Sequence, residues 1–216
     1  MSGELLIAFA GDFLSSVGFG ASGGATKGAE LALKRVLQKR AESARSVLIE
    51  EIRAGRSFIH EVGEDQAAAI TFRYMRAGIE GAARRNLRLL ASIAAGQGAE
   101  TGLYADEFLR WADALSGLGR AELIVLGVMQ RMAEERDYQI PRTGDFWMDV
   151  VRVLSQQYDI DPGAADASAG ACLRTGLLTI LGGLMDIGHA YLPSVHLKEI
   201  GRLTKIEVVL RRDENL

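Results

Sequence analysis

Apolar residues recur at intervals of three and four along the first hundred residues, which is the spacing of one face of an α-helix. The stripe from Ala25 to Gly55 contains Leu33, Leu37, Ala41, Ala44, Leu48 and Ile52. The stripe from Asp65 to Gly96 contains Ala68, Phe72, Met75, Ile79, Ala82, Leu87, Leu90 and Ala94. The two stripes predict two long helices that form a helical hairpin.

The opposite face of the second helix carries charges at successive steps of four. These residues are Arg76, Glu80, Arg84 and Arg88. Opposite charges four apart on a helix form weak surface pairs. The pattern therefore predicts a solvated face.

Shorter periodic stretches follow, and they end in a different pattern. Helices are expected over Tyr104–Leu115, Arg120–Glu135, Asp145–Tyr158, Ala164–Leu178 and Ser194–Leu203. Two short apolar runs, Leu178–Leu181 and His189–Leu192, flank a Gly-rich loop and predict a β-hairpin. Three helices, a hairpin and a helix in this order are typical of a winged helix, a relative of the helix-turn-helix.

The predicted fold is therefore mainly α, a long helical hairpin followed by a winged-helix-like module with a short β-hairpin. We divide the chain into an apolar Gly-rich segment (1–24), the helical hairpin (25–100), the winged-helix-like module (101–203) and a C-terminal tail or short strand (204–216).

The composition is that of an ordinary globular protein. The chain has 216 residues, 48% of them hydrophobic and 25% charged, and a formal net charge of −3. These values argue against a disordered chain, a collagen-like chain and a polytopic membrane protein. They also give no overall positive field that would attract nucleic acid. The single cysteine, Cys172, fits a reducing compartment, so we expect a cytoplasmic protein, and membrane association through its N-terminal segment is an open alternative.

Two glycine patterns overlap in that segment. Gly18, Gly20 and Gly23 form GxGxxG, but no βαβ unit surrounds them, so a flexible connection is the better interpretation than a nucleotide site. Glycines also recur every four residues, a spacing that lets helices approach closely; they are Gly20, Gly24 and Gly28. A linker, a surface-lying or self-associating helix, and a membrane-spanning segment all remain open.

One face of the first long helix is basic. Its cations are Lys34, Arg35, Lys39, Arg40, Arg45 and Arg53. A solvated helix face is the ordinary explanation, and contact with nucleic acid or lipid is the alternative. DNA reading by the predicted winged helix has little support, because Ala164–Leu178 contains Arg174 as its one cation and Gly182–Gly188 contains none.

No catalytic, cofactor or metal site is predicted. His60, His189 and His196 are scattered, and Cys172 lies in an apolar stretch that predicts an inert buried thiol. The run Asp159–Gly163 resembles the start of a calcium loop but lacks its later ligands, so a turn is expected. We therefore expect a protein that is not an enzyme.

Four segments of the chain resemble a known family. They are NLRLLASIAAG (Asn86–Gly96), DEFLRWADALSGLGRAELIVLGVM (Asp106–Met129), ACLRTGLL (Ala171–Leu178) and AYLPSVHLKEI (Ala190–Ile200). Together they are similar to the abortive-infection alpha family of bacterial proteins, over about residues 65–203. The resemblance implies a bacterial, often prophage-associated protein linked to phage resistance, and it supplies no catalytic residues.

Three hypotheses follow. The first is a non-enzymatic interaction protein of bacterial immunity or phage–host conflict, which binds another protein or a second copy of itself. The second is a membrane-active effector that uses Leu5–Gly28, and the third is a winged-helix DNA-binding regulator. We expect a homo-oligomer, because a long amphipathic helix often buries its stripe between subunits.

Overall fold

The computed structural model describes residues 3–16, 27–56, 63–96, 104–140, 142–181 and 189–214. Its helices are α1 (Gly3–Ser16), α2 (Lys27–Glu51), α3 (Glu64–Glu80), α4 (Arg84–Ala95), α5 (Ala105–Ser116), α6 (Arg120–Glu134), α7 (Thr143–Tyr158), α8 (Pro162–Leu173), α9 (Val195–Leu203) and α10 (Ile206–Glu214). A π-helical turn, Ile52–Arg56, continues α2. The strands β1 (Leu178–Leu181) and β2 (Ala190–Pro193) pair antiparallel. The predicted mainly helical class is confirmed. The chain divides into two compact units, Met1–Gly117 and Leu118–Leu216.

In the first unit, α2, α3 and α4 pack on one another, and α1 and α5 both pack on α3. The predicted second long helix is wrong, because the chain breaks at Gly81, whose φ is 99°. The N–H groups of Gly81 and Ala82 donate to the carbonyls of Gly78 and Ala77, which is the hydrogen-bond pattern of a Schellman motif. Glycine adopts the left-handed conformation without a Cβ clash, so α3 ends there and α4 packs against α2.

The buried face of α3 also differs from the predicted stripe. Phe72, expected in the core, is 55% exposed and meets Phe13 of α1 edge-on, with ring centroids 5.3 Å apart. Tyr74 is fully buried instead, and its hydroxyl donates to the Ala44 carbonyl at 2.8 Å. Because that hydroxyl has a partner, the ring can be buried at this position without a large penalty.

The predicted stripe of α2 is buried only in its C-terminal half. Ala41, Ala44, Leu48 and Ile52 are buried, whereas Leu33 is 57% exposed. α2 and α3 lie close together at Gly78, where a Cβ would lie 2.5 Å from the Cβ of Ala44. Glycine at position 78 is thus required by the packing distance.

In the second unit, α6 packs against α7, α8, α9, α10 and β2. The β-hairpin lies where the sequence predicts it, with Leu178 opposite Pro193 and Leu181 opposite Ala190. The helix over Tyr104–Leu115, which the sequence analysis assigns to the second module, is α5 of the first unit, where the Asn86 amide donates to the Leu115 carbonyl at 2.6 Å.

The last segment is a helix, α10, and not the predicted strand or tail. Its β-branched residues favour a strand on propensity, but Ile206 and Val209 are buried and α10 packs on α6. Gly127 of α6 allows this contact, since a Cβ there would lie 3.0 Å from the Glu207 nitrogen. Packing has overridden local preference.

A single amide side chain joins α6 to the α9–α10 junction. Gln130 is 1% exposed, and its Nε2 donates to the Thr204 carbonyl at 2.8 Å. Its Oε1 accepts a hydrogen bond from the Ile206 N–H at 3.0 Å. The first N–H groups of a helix have no partner within that helix, so Gln130 satisfies one of them for α10.

Candidate interaction surface

The apolar stripe of α2 continues beyond the point where α3 ends. Arg40 marks that point, because its Nη1 donates to the Ile79 carbonyl at 3.2 Å, and its guanidinium lies beside Gly81. A cation there also interacts favourably with the negative end of the α3 dipole. On the N-terminal side of Arg40, Leu33 and Val36 are 57% and 48% exposed. Because successive helical residues are about 100° apart, Leu33 and Val36 lie on the face that buries Ala44 further along α2.

Three cations lie on the same turns of α2 as this exposed stripe. Lys34, Arg35 and Lys39 are exposed. We call these five residues the α2 surface: Leu33, Lys34, Arg35, Val36 and Lys39. It combines two exposed apolar side chains with three exposed cations.

The other basic residues singled out in the sequence lie elsewhere. Arg40 is engaged at the end of α3, and Arg45 is half-buried, with its Nε buried and without a hydrogen-bond partner among the described residues. Arg53 is exposed in the π-helical turn. The structure therefore divides the predicted basic face into two parts and brings only its N-terminal part next to exposed apolar residues.

The glycine series is only partly covered by the structure. Gly20 and Gly24 lie outside the described residues, and Gly28 falls in the first turn of α2. None of the helices in the described ranges has the length and apolar content needed to cross a bilayer.

A buried ion pair in the first unit was missed by the sequence analysis. Arg88, expected on a solvated face, is 4% exposed, and its Nη1 lies 3.1 Å from Oε1 of Glu51, which is 1% exposed. Its Nη2 lies 2.9 Å from Oε2 of Glu50. The sequence signal was Glu51 itself, which stands three residues after Leu48 and seven after Ala44, in line with the α2 stripe.

Arg88 is buried because the chain breaks at Gly81. The break turns α4 so that Arg88 faces α2 instead of water. Burial lowers the pKa of Arg88, but hydrogen bonds to Glu51 and Glu50 outweigh it and hold that pKa above its ordinary value. Burial has the opposite effect on the nearby Tyr74, whose pKa it raises. Arg88 therefore stays charged and the Tyr74 hydroxyl keeps its proton at neutral pH, and the cluster serves to join α2 and α4.

A second buried carboxylate lies in the second unit. Glu207 is 6% exposed and accepts hydrogen bonds from Arg131 Nε at 2.7 Å, from Arg211 Nη2 at 2.6 Å and from the Tyr158 hydroxyl. Burial raises the pKa of Glu207, but the three hydrogen bonds together outweigh burial and hold it below its ordinary value. The cluster links α10 to α6 and α7.

This shift predicts acid sensitivity of the second unit. A carboxyl whose pKa is lower in the folded state stabilises the fold above its unfolded pKa, near 4.3, and loses that contribution as pH falls through the folded value. We expect Glu207→Gln to lower the free energy of unfolding by a constant amount above about pH 5, and by less at lower pH. Urea unfolding followed by Trp147 fluorescence, in a Trp111→Phe background, measures this. The exposed Asp145→Asn serves as control; a difference that does not vary with pH would contradict the assignment.

The remaining candidates for chemistry are not brought together within the described residues. Cys172 is fully buried, and burial, with a contribution from Glu122, raises the pKa of its thiol to about 12. His196 Nδ1 lies 3.1 Å from Glu199 Oε2, His189 is exposed, and His60 lies outside the described residues. The Asp161 side chain accepts a hydrogen bond from the Ala164 N–H and caps α8. No group of His, Cys, Asp and Glu within the described residues could hold a metal ion.

α8 covers most of the stretch Ala164–Leu178, which the sequence predicted as a recognition helix, and it contains no Lys or Arg. Arg174 follows it, and its Nη2 lies 3.5 Å from Glu122 Oε1. The structure thus leaves α8 without a cation to contact phosphate.

The described elements define a mainly helical protein of two compact units with a two-stranded antiparallel sheet. The chain matches no protein-family model, no curated protein and no solved structure.

Proposed function

We propose that the protein is a non-enzymatic interaction protein and that the α2 surface binds its partner. The supporting observation is that the stripe which packs on α3 in the C-terminal half of α2 is exposed at Leu33 and Val36. Apolar residues left exposed in a row and bordered by charges are typical of protein–protein contact sites. A helix face of this kind is suited to pairing with another helix.

The charges favour an acidic partner over a second copy of the chain. If two α2 helices paired antiparallel with Leu33 opposite Val36, Lys34 of one helix would lie at the level of Arg35 of the other. Like charges at such positions disfavour pairing, whereas Glu or Asp beside an apolar seam would complement them. We therefore assign the α2 surface to an amphipathic helix with acidic flanks in a different protein; the homo-oligomer expected from the sequence becomes an alternative outcome of the test.

The setting in bacterial immunity or phage–host conflict is proposed on the resemblance of residues 65–203. The order of α6, α7, α8, β1 and β2 supports a winged-helix-like module in the second unit. The composition of α8 supports a module that packs against protein and does not read DNA.

The test is a binding titration of the full chain with a model peptide. The peptide is a helix of about three heptads with Leu at the seam and Glu at the flanking positions; its matched control has Lys in place of Glu. We expect the Glu peptide to bind at low salt and the Lys peptide not to bind. We expect Leu33→Ser/Val36→Ser to weaken binding about tenfold or more, because two apolar side chains are no longer buried. Lys34→Gln/Lys39→Gln should weaken it and reduce its salt dependence.

The control variant is Val208→Ser, which removes an apolar side chain that is 44% exposed on α10. It should bind like the wild type. Lack of binding to the Glu peptide would overturn the proposal. Flotation with anionic vesicles that is lost in Lys34→Gln/Lys39→Gln would identify lipid as the partner instead. A dimer of the isolated chain that dissociates in Leu33→Ser/Val36→Ser would show that a second copy occupies the surface.

A further inference from the structure

A cleft of about 340 Å³ lies in the second unit, where the end of α6 meets α9 and the residues that follow α9. Its walls include Glu134, Tyr138, Lys198, Gly201, Arg202 and Lys205. The volume is at the lower end of the range for small-molecule sites. No residue of this cleft takes part in the α2 surface.

An unusual backbone conformation places Tyr138 in the cleft. After α6, Asp137 and Tyr138 have φ values of 49° and 59°, so two successive residues other than glycine are left-handed. The Tyr138 N–H donates to the Ala133 carbonyl at 2.7 Å and closes the helix end. Such conformations cost energy and cluster at binding sites. The Lys198 Nζ lies 4.8 Å from the centre of the Tyr138 ring, which is a cation–π contact.

The Tyr138 hydroxyl is an available hydrogen-bond donor. Its oxygen is buried and has no hydrogen-bond partner among the described residues. It lies 3.2 Å from the position that a Cβ on Gly201 would take. Burial, with a contribution from Glu134, raises the pKa of Tyr138 to about 12, although Arg202 acts in the opposite direction. The hydroxyl therefore keeps its proton at neutral pH and can donate it in a hydrogen bond.

The cations of the cleft are only partly neutralised. Lys205 Nζ lies 2.7 Å from Glu134 Oε2. Lys198 and Arg202 are one turn apart on α9, and within the described part of the chain neither forms an ion pair with a carboxylate. Asp137 also lines the cleft and is exposed. Three cations against two carboxylates thus give the cleft one net positive charge, and an unpartnered hydroxyl lies in its wall.

We propose that this cleft binds a small oxyanion, a compound that carries a phosphate or carboxylate group. Lys198 and Arg202 supply the opposite charge, and the Tyr138 hydroxyl donates a hydrogen bond to one oxygen. Phosphate and carboxylate oxygens accept such bonds from cations and hydroxyls more strongly than neutral oxygens do.

The test is an NMR titration of the full chain with inorganic phosphate and, separately, with acetate, at constant ionic strength maintained with chloride. We expect saturable shifts of the Tyr138 and Arg202 amide signals with at least one of the two anions. The anion that binds more tightly identifies the group recognised. Arg202→Gln, an exposed change, should weaken binding about tenfold. The exposed Arg142→Gln, in the same unit, should leave it unchanged.

A second variant separates binding from folding. Tyr138→Phe removes a hydroxyl that has no partner in the protein, so we expect the melting temperature to be unchanged or raised. Anion affinity should nevertheless fall severalfold, because a hydrogen bond to a charged group is lost. The proposal is overturned if neither anion gives saturable shifts, if Arg202→Gln binds like the wild type, or if Arg142→Gln weakens binding as much as Arg202→Gln does.

Discussion

Replacing Arg88 with methionine is expected to lower the free energy of unfolding of the first unit by about 3–5 kcal/mol, because the change removes one partner of a buried ion pair. The Glu51 carboxylate, 1% exposed, would lose its closest cation and stay in an environment of low dielectric. The chain has two tryptophans, so a Trp147→Phe background leaves Trp111 of the first unit as the fluorescent probe. Urea unfolding in that background gives the free energy.

Two variants distinguish a buried pair from a surface pair. Arg88→Met/Glu51→Leu removes both charges and should recover most of the lost stability. An intact buried ion pair contributes less free energy than is lost when one charge stays buried without its partner. Arg76→Met removes the 2.7 Å surface pair of Arg76 with Glu80 and should change the free energy of unfolding by less than about 1 kcal/mol. If Arg88→Met cost no more than Arg76→Met, the buried position of Arg88 would be disproved.

The second large effect is expected at Gly78, where α2 and α3 lie close together. Gly78→Ala would place a Cβ 2.5 Å from the Ala44 Cβ, so one helix must move. Overpacking of this kind costs about 1–3 kcal/mol, which exceeds the gain of up to about 1 kcal/mol in helix propensity. The same unfolding measurement should show a net loss of stability.

An exchange of the two residues tests this explanation. Ala44→Gly/Gly78→Ala moves the methyl group from one helix to the other, relieves the contact and cancels the propensity terms. It should be more stable than Gly78→Ala alone. Gly117→Ala, at a position with nothing within 4 Å of the added Cβ, should change stability little. A Gly78→Ala variant as stable as Gly117→Ala would contradict the packing distance.

Local patterns predicted the elements whose packing agrees with them. The stripe of α6 is buried as expected, including Leu123, Ile124 and Met129, because other elements surround this helix. The β-hairpin was found because glycine and proline delimit its short apolar runs. The turn predicted from the composition of Asp159–Gly163 is present, but it ends at Asp161, which caps α8.

The errors arose where tertiary contacts override a local pattern. One period was carried across Gly81, so Arg88 was assigned to solvent, and the stripe within α3 was placed on the wrong face, so Phe72 was assigned to the core; both assignments were wrong. The β-branched residues of α10 predicted a strand, although burial against α6 makes this segment a helix. Leu33 belongs to an apolar stripe, but no sequence pattern shows that α3 ends at the level of Arg40.

The proposed sites depend on residues that only the fold brings together. The basic residues of α2 were visible in the sequence, but the difference between Lys39 in solvent and Arg40 at the end of α3 was not. In the cleft, Tyr138 and Lys198 are sixty residues apart, and neither belongs to a recognisable motif.

The hydrogen bond from Ile206 to Gln130 makes one amide proton a probe of tertiary structure. Amide protons at the start of a helix ordinarily exchange quickly with deuterium, because no carbonyl of that helix holds them. The Ile206 proton is held by a side chain 76 residues away in sequence. Its exchange therefore requires α10 to separate from α6, and its rate reports the opening of the second unit, not the fraying of α10.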